Sequence, residues 1–315
     1  MNASHTQTPV SNHHELTTAS TENKLLLHTL RELGEFVYRP NLGNLGDQVI
    51  AYATREYFRR HALPYRERAG QAASFPFVYG GGGAFVPYYD MLPHLAALFR
   101  LPCFRRIVIL PSSFHRCDAL IDLFDERFTV FCREEQSYRY LTGRNKKARI
   151  LLADDMAFTL DARQAVSAIP QATLADATFQ EHIRQLKKCL YVTKEGKRTL
   201  LFLRADAESR LNTQNTLRTC KTFDLSGLYN ETARDPDRTR FLTHLFLHGI
   251  DQADIILTDR LHGAICATLL GKETCLLDNR YGKVAGVYDF SLKNRAHATL
   301  LSSPEEFPLA GLHPA

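Results

Sequence analysis

Asp254-Ile-Ile-Leu-Thr-Asp-Arg-Leu-His-Gly-Ala-Ile-Cys-Ala-Thr-Leu-Leu270 decides the fold. Its first five residues form an apolar run without alternation, the pattern of a strand covered on both faces. Beyond them Ala264, Ile265, Ala267, Leu269 and Leu270 are small and apolar nearly all round, which predicts a buried helix from Arg260 to Leu270. A buried strand running directly into a buried helix is half of a strand–helix–strand unit, and Thr274-Cys-Leu-Leu277 supplies the next strand.

The same rhythm extends in both directions. Upstream lie an apolar strand at Thr199–Leu203, a second at Thr222–Leu225, and a helical pattern from Asp237 to Gln252. The first half repeats it: Glu35–Arg39, a glycine-rich turn, a helix from Asp47 to His61, then strands at Phe75–Tyr79, Ile107–Leu110, Phe128–Phe131 and Arg149–Leu152, with a helix from Arg133 to Leu141. This predicts an α/β protein of two Rossmann-like, doubly wound domains facing across a cleft. The N-terminal domain spans residues 23–172 and the C-terminal one 191–295, with a linker at 173–190, where the composition turns polar. Residues 1–22 are read as a disordered tail and 296–315 as a C-terminal tail.

Composition bounds the function. With 315 residues, 44% hydrophobic and 23% charged, the chain has ample material for a core, which excludes disorder throughout. A net charge of +5 suits anionic small molecules better than a long phosphate backbone, so nucleic acid is not an expected partner. Without an apolar run long enough to span a bilayer, or an apolar core in the first 22 residues, the expected location is the cytoplasm. The seven cysteines form no Cys-x-x-Cys pair, and no metal site is expected. The run Arg55, Arg59, Arg60, Arg66 and Arg68 reads as a solvated helix face and its loop, or as a contact with the inner face of an anionic membrane.

In open parallel sheets ligands sit beyond the carboxyl ends of the strands, and the chemically informative residues cluster there. Asn41-Leu-Gly-Asn-Leu-Gly-Asp-Gln48 opens a helix; Asp47 can cap it, and Asn44 and Asp47 face the free N–H groups that favour an anion or a sugar hydroxyl. The run Gly80 to Gly83 follows a buried strand. It serves either close backbone packing or a bed of N–H groups under an anionic ligand. His115 lies in a loop after Leu110-Pro-Ser-Ser, placed for proton transfer. Arg133 meets either an anion or the neighbouring carboxylates Glu134 and Glu135. Arg260 and His262 stand in the first turn of a helix, where a cation has the wrong sign for the dipole unless an anionic ligand reverses the account or Asp259 or Asp278 pairs with Arg260. Arg204 and Lys283 face the same cleft, so that together these cations describe a pocket for a small polyanion.

The ordered set Asn44-Leu-Gly-Asp47, Gly80–Gly83, Leu110-Pro-Ser, Arg133-Glu with Ser137-Tyr138, Asp155-Met-Ala-Phe158, Thr258-Asp-Arg-Leu-His-Gly263 and Tyr281-Gly-Lys283 resembles the polysaccharide pyruvyl transferase family over about residues 35–290. The resemblance implies a glycosyltransferase-B-like fold and transfer of pyruvate from phosphoenolpyruvate, as a ketal, onto a sugar of a polysaccharide or of its lipid-linked precursor. It assigns donor binding to the Arg-Leu-His element, hence Arg260 and His262, with Arg204 and His115 as further matches. The chemistry then gives Arg260 and Arg204 to donor capture, His262 to proton transfer, His115 to donor contact or base, and Lys283 to phosphate. Phosphoenolpyruvate is a co-substrate, and no cofactor is required. The alternatives are a nucleotide-sugar glycosyltransferase of the same fold and a non-catalytic sugar-binding protein of a polysaccharide assembly complex.

Overall fold

The computed structural model describes residues 23–67, 74–211, 217 and 220–315; the expected tail at 1–22 and Arg68 lie outside them. The first half builds on β1 (Phe36–Arg39), β2 (Leu42–Gly43), β3 (Tyr65–Arg66), β4 (Phe75–Tyr79), β5 (Gly82–Phe85), β6 (Phe104–Phe114), β7 (Phe128–Cys132) and β8 (Arg149–Leu152). Six of these form a parallel sheet in the order β3-β1-β4-β6-β7-β8, with β5 added alongside β6. On one face lie α1 (Leu45–Arg60) and an aromatic layer of Phe36, Tyr38 and Phe58; on the other lie α2 (Leu92–Phe99) and α3 (Glu135–Arg144), over Phe77, Phe99, Phe124 and Phe128.

The second half contributes α4 (Ala177–Lys187), β9 (Leu190–Val192), β10 (Arg198–Phe202), β11 (Glu231–Thr232), α5 (Pro236–Asp251), β12 (Ile255–Thr258), α6 (Leu261–Leu269), β13 (Glu273–Leu276), α7 (Lys283–Val287), β14 (Ala298–Leu300) and β15 (His313–Pro314). Its sheet runs β14-β13-β12-β10-β9-β15, with the first four strands parallel and β9 antiparallel to both neighbours. Two α/β sheets flanked by helices thus give the two-domain, Rossmann-like architecture that the alternation predicts.

Several boundaries differ from expectation. Residues 296–315 supply β14 and β15 and bury Phe307, because β13 and β9 would otherwise be bare sheet edges. Within 173–190, α4 packs Phe179, Ile183 and Leu186 into the same cluster as Phe246 and Ile250 of α5, so its polar composition belongs to the outer face of a packed helix. Thr222–Leu225 is not a strand; Asp224 caps a 3-10 turn at Leu225–Leu228 instead. The halves are joined in two further ways. Leu45, Val49 and Ala53 of α1 enter the core of the second half, and β2 pairs with β11 in a two-stranded antiparallel ribbon. The basic run is not a uniform cationic face: Arg55 is buried and forked onto Glu67 at 2.6 and 2.8 Å, while Arg59 pairs with Glu56.

Candidate active site

Strand register sets the stage. Phe202, Thr258 and Leu276 lie side by side across β10, β12 and β13, so the residues just after them leave the sheet at one level. Cys132 and Leu152 do the same for β7 and β8, which brings Arg133 beside Asp155. Between these strand ends lies a cavity of about 960 Å³, lined from the first half by Asn44, Asp47, Gly83, Tyr88 and Arg133 and from the second by Arg204, Asp206, Arg260, His262 and Lys283.

His262 sits in the first turn of α6, with Arg260 as N-cap residue and its N–H donating to Thr258 Oγ1 at 3.0 Å. The imidazole is wedged against α1, since a Cβ on Gly46 would stand 2.4 Å from its Nδ1. Its Nε2 lies 3.5 Å from Asp155 Oδ2 and 3.4 Å from Arg133 Nη1. Arg133 has no exposed surface; it bonds Asp155 Oδ2 through Nη1 at 2.6 Å and donates from Nε to Ser113 Oγ at 2.8 Å. Burial acts to raise the Asp155 pKa, but the His262 hydrogen bond and the Arg133 charge outweigh it and hold this carboxyl well below the usual carboxylate range. An ionised carboxylate beside an imidazole orients the ring and stabilises its protonated form, an arrangement suited to proton transfer.

The other cations are each engaged by carboxylates. Arg260 grips Asp224 through Nε and Nη2, and its Nη1 lies 2.8 Å from Asp206 Oδ2. Arg204 forks onto Asp206 at 2.7 and 3.1 Å and reaches Glu208 at 2.8 Å. Lys283 Nζ meets Glu208 Oε2, also at 2.8 Å, and burial lowers its pKa. Asp259 and Asp278 therefore are not the partners of Arg260: Asp259 accepts the Arg204 backbone N–H at 2.8 Å and Asp278 faces Arg210. Of the three arginines, Arg133 keeps a guanidinium nitrogen, Nη2, free of hydrogen-bond partners among the described residues.

Asn44, rather than Asp47, is the N-cap of α1: its side chain accepts from Gly46 N–H at 2.8 Å, and Asp47 closes the box by accepting from Asn44 N–H at 3.1 Å. Asp47 also lines the cavity, and burial raises its pKa against the pull of His262, Arg133 and Lys283. The glycine run divides. A Cβ on Gly80 or Gly81 would meet backbone at 2.7 Å (Asn41 N) or 2.5 Å (Pro111 O), so these two serve packing. Gly82, at φ +121°, begins β5. Gly83 alone reaches the cavity, where a Cβ would lie 3.8 Å from Arg133 Nη2 and 3.9 Å from Lys283 Nζ. His115 is not among the cavity-lining side chains; its ring stacks on Tyr281 at 5.1 Å and faces Tyr88 at 6.4 Å, the latter a lining residue.

The profile of the polysaccharide pyruvyl transferase family matches residues 44–281. The chain belongs to that family. The protein EpsO of Bacillus subtilis (strain 168), which carries the name of a pyruvyl transferase, is 27% identical over 297 residues, covering 84% of this chain and 87% of that protein. A crystal structure of a functionally uncharacterized protein from Klebsiella pneumoniae subsp. pneumoniae NTUH-K2044 superposes with a TM-score of 0.70 at 27% identity, over 91% of this chain and 99% of the other.

The pyruvyl transferase match begins at the N-cap of α1 and ends at Tyr281, two residues short of Lys283, so it encloses Arg133, Arg204, Arg260 and His262. Sequence reading brought together most of this pyruvyl transferase cavity but missed the lining carboxylates Asp206, Glu208 and Asp224, and gave Asp155 no role, although it holds Arg133 and His262 from behind the lining. Asp155 could have been found, because it lies three residues beyond a strand whose end pairs with the end carrying Arg133. Asp206, Glu208 and Asp224 stand on irregular segments without a periodic signal.

Packing beneath the site gives a first prediction. A Cβ on Gly263 would lie 2.6 Å from the Phe202 ring, so Gly263→Ala must push α6 off β10. The expected loss is about 1–3 kcal/mol of stability in urea unfolding, with activity falling as Arg260 and His262 shift; unchanged unfolding would show that α6 does not pack as described.

Proposed function

We propose that this pyruvyl transferase takes its pyruvyl group from phosphoenolpyruvate and places it as a ketal across two hydroxyls of a sugar, free or lipid-linked, of a polysaccharide or its precursor. One observation carries the reading: Arg133, Arg204, Arg260 and Lys283 converge on one cavity beside an imidazole held by a buried carboxylate. The donor is a three-carbon molecule bearing a carboxylate and a phosphate, and paired arginines suit both groups.

His262, protonated and supported by Asp155, delivers a proton to the donor methylene, leaving a cationic carbon stabilised by the phosphate ester oxygen. A sugar hydroxyl adds to that carbon, its proton returning to the now neutral His262, and a second hydroxyl then displaces the phosphate, which carries away that hydroxyl's proton as hydrogen phosphate. Arg260 and Arg204 hold the donor anion, Lys283 and Arg133 neutralise the departing phosphate beside Gly83, and Asn44 and Asp47 line the same cavity. His115 supports the Tyr88–Tyr281 rim in this reading, and proton transfer rests with His262. The fold is read as glycosyltransferase-B-like and the location as cytoplasmic, and no cofactor enters the scheme.

Because Asp206, Asp224 and Glu208 already occupy three of the cations, the donor must displace carboxylates to bind. Phosphoenolpyruvate is accordingly expected to raise the melting temperature of the wild type and to do so far less for Arg260→Ala. A larger shift with nucleotide diphosphates than with phosphoenolpyruvate would favour a nucleotide-sugar glycosyltransferase instead. Absence of a shift with either, together with no phosphate release, would favour a sugar-binding protein without catalysis.

A further inference from the structure

The geometry points to Glu134 as a positioning residue that sets, through Ser113, how strongly Arg133 holds an anion in the cavity. Glu134 is only 3% exposed, at the start of α3, and does not line the cavity. Its Oε2 accepts from Ser113 Oγ at 3.2 Å and its Oε1 from Ser137 Oγ. The same Ser113 Oγ accepts the Arg133 Nε–H at 2.8 Å. One hydroxyl thus ties the guanidinium to a second buried carboxylate, on the side away from Asp155 and His262.

The surroundings of Glu134 leave little else to compensate its charge. β6 offers Ser113, α3 offers Ser137, α7 presses Gly286 against its side chain, and its chain neighbours are Cys132, Arg133 and the exposed Glu135. Among the described residues Arg133 is the cation in contact, and it is shared with Asp155. Burial pushes the Glu134 carboxyl up to about 7 against the lowering effect of Arg133 and the two serines. Around neutral pH this carboxyl therefore changes charge within two hydrogen bonds of the cavity's partly free guanidinium. While neutral it leaves Arg133 a stronger anion holder; once ionised it competes with the bound anion for the same charge. Asp155, far more acidic, does not titrate in that range.

The proposal rests on the function proposed above only in taking the donor as the anion; it can be tested without the donor. Sulfate is the probe, because it does not titrate between pH 6 and 8. In the wild type, sulfate affinity measured by calorimetry is expected to fall by about tenfold more from pH 6 to pH 8 than in Glu134→Gln, in which the charge is fixed at zero. Glu134→Asp should restore the pH step, and Ser113→Ala should weaken it. Parallel pH profiles in wild type and Glu134→Gln would overturn the proposal. Should the variants fail to fold, carbon-13 NMR of wild-type glutamate carboxyls decides: a buried Glu134 inflecting near pH 7 supports it, and one inflecting near 4.5 refutes it. If sulfate follows this pattern while phosphoenolpyruvate does not bind, the donor assignment fails and the role of Glu134 stands.

Discussion

Replacing His262 by alanine is expected to lower pyruvyl transfer by about 10²–10⁴-fold, the range that a positioned proton donor supplies, while changing donor affinity much less. The reasoning follows from contacts. His262 meets Asp155 and Arg133 on one edge and Gly46 on the other, and it lines the cavity without forming part of the carboxylate-bound cation cluster. In the proposed mechanism its removal deletes the proton source and leaves Arg204, Arg260 and Lys283 in place. Arg260→Ala should act differently, raising the donor concentration needed for half-maximal rate as well as lowering the rate. Steady-state phosphate release, with donor and acceptor varied separately, distinguishes the two, and a His262→Ala enzyme of full activity would remove the proton-transfer role.

Asp155→Ala should be the most damaging change to the fold near the site. Arg133 would remain fully buried after losing the carboxylate 2.6 Å from its Nη1, and breaking a buried pair from one side costs about 3–5 kcal/mol. The pH dependence has a definite sign. The Asp155 pKa is depressed in the folded state, so its contribution to stability is fully present above the unfolded-state value of about 3.9 and disappears as pH falls through the lower folded value. Urea unfolding of wild type and variant should therefore differ by the full amount near pH 7 and converge in strong acid. A constant difference across that range would mean that packing, not charge, accounts for the loss. Asp155→Asn, which keeps the shape, should recover part of the stability but little of the activity.

How far the sequence carried this picture depends on how local each signal was. Strands β1, β4, β7, β10 and β12 are short, mostly apolar and almost wholly buried runs that leave a direct mark in the chain, as do the half-buried apolar runs of β8 and β13, and α1 carries its capping box at Asn44 and Asp47. Arg260, His262, Arg204, Arg133 and Lys283 were legible because the parallel sheet fixes where strand ends point. The ribbon of β2 with β11 was not, since each partner is two residues long and their pairing spans most of the chain. Nor were β14 and β15, edge strands of three and two residues that are ordered by the neighbours they cover. The pairing of every cleft cation except Arg133 with Asp206, Glu208 or Asp224 depends on irregular segments folding back over the strand ends. His115 shows the limit of reading position alone: it does lie just after β6, but its ring stacks between Tyr281 and Tyr88 at the cavity's rim instead of lining the cavity.

The central claim is that the cationic cavity between the two sheets converts phosphoenolpyruvate and a sugar into a pyruvate ketal and phosphate. The most direct measurement incubates the purified protein with phosphoenolpyruvate labelled with carbon-13 at its central carbon and a panel of glycan acceptors. The account predicts a new ketal carbon signal that grows in step with released phosphate and is absent with Arg260→Ala. Phosphate released without any ketal, or a ketal formed equally well by Arg260→Ala, would contradict it.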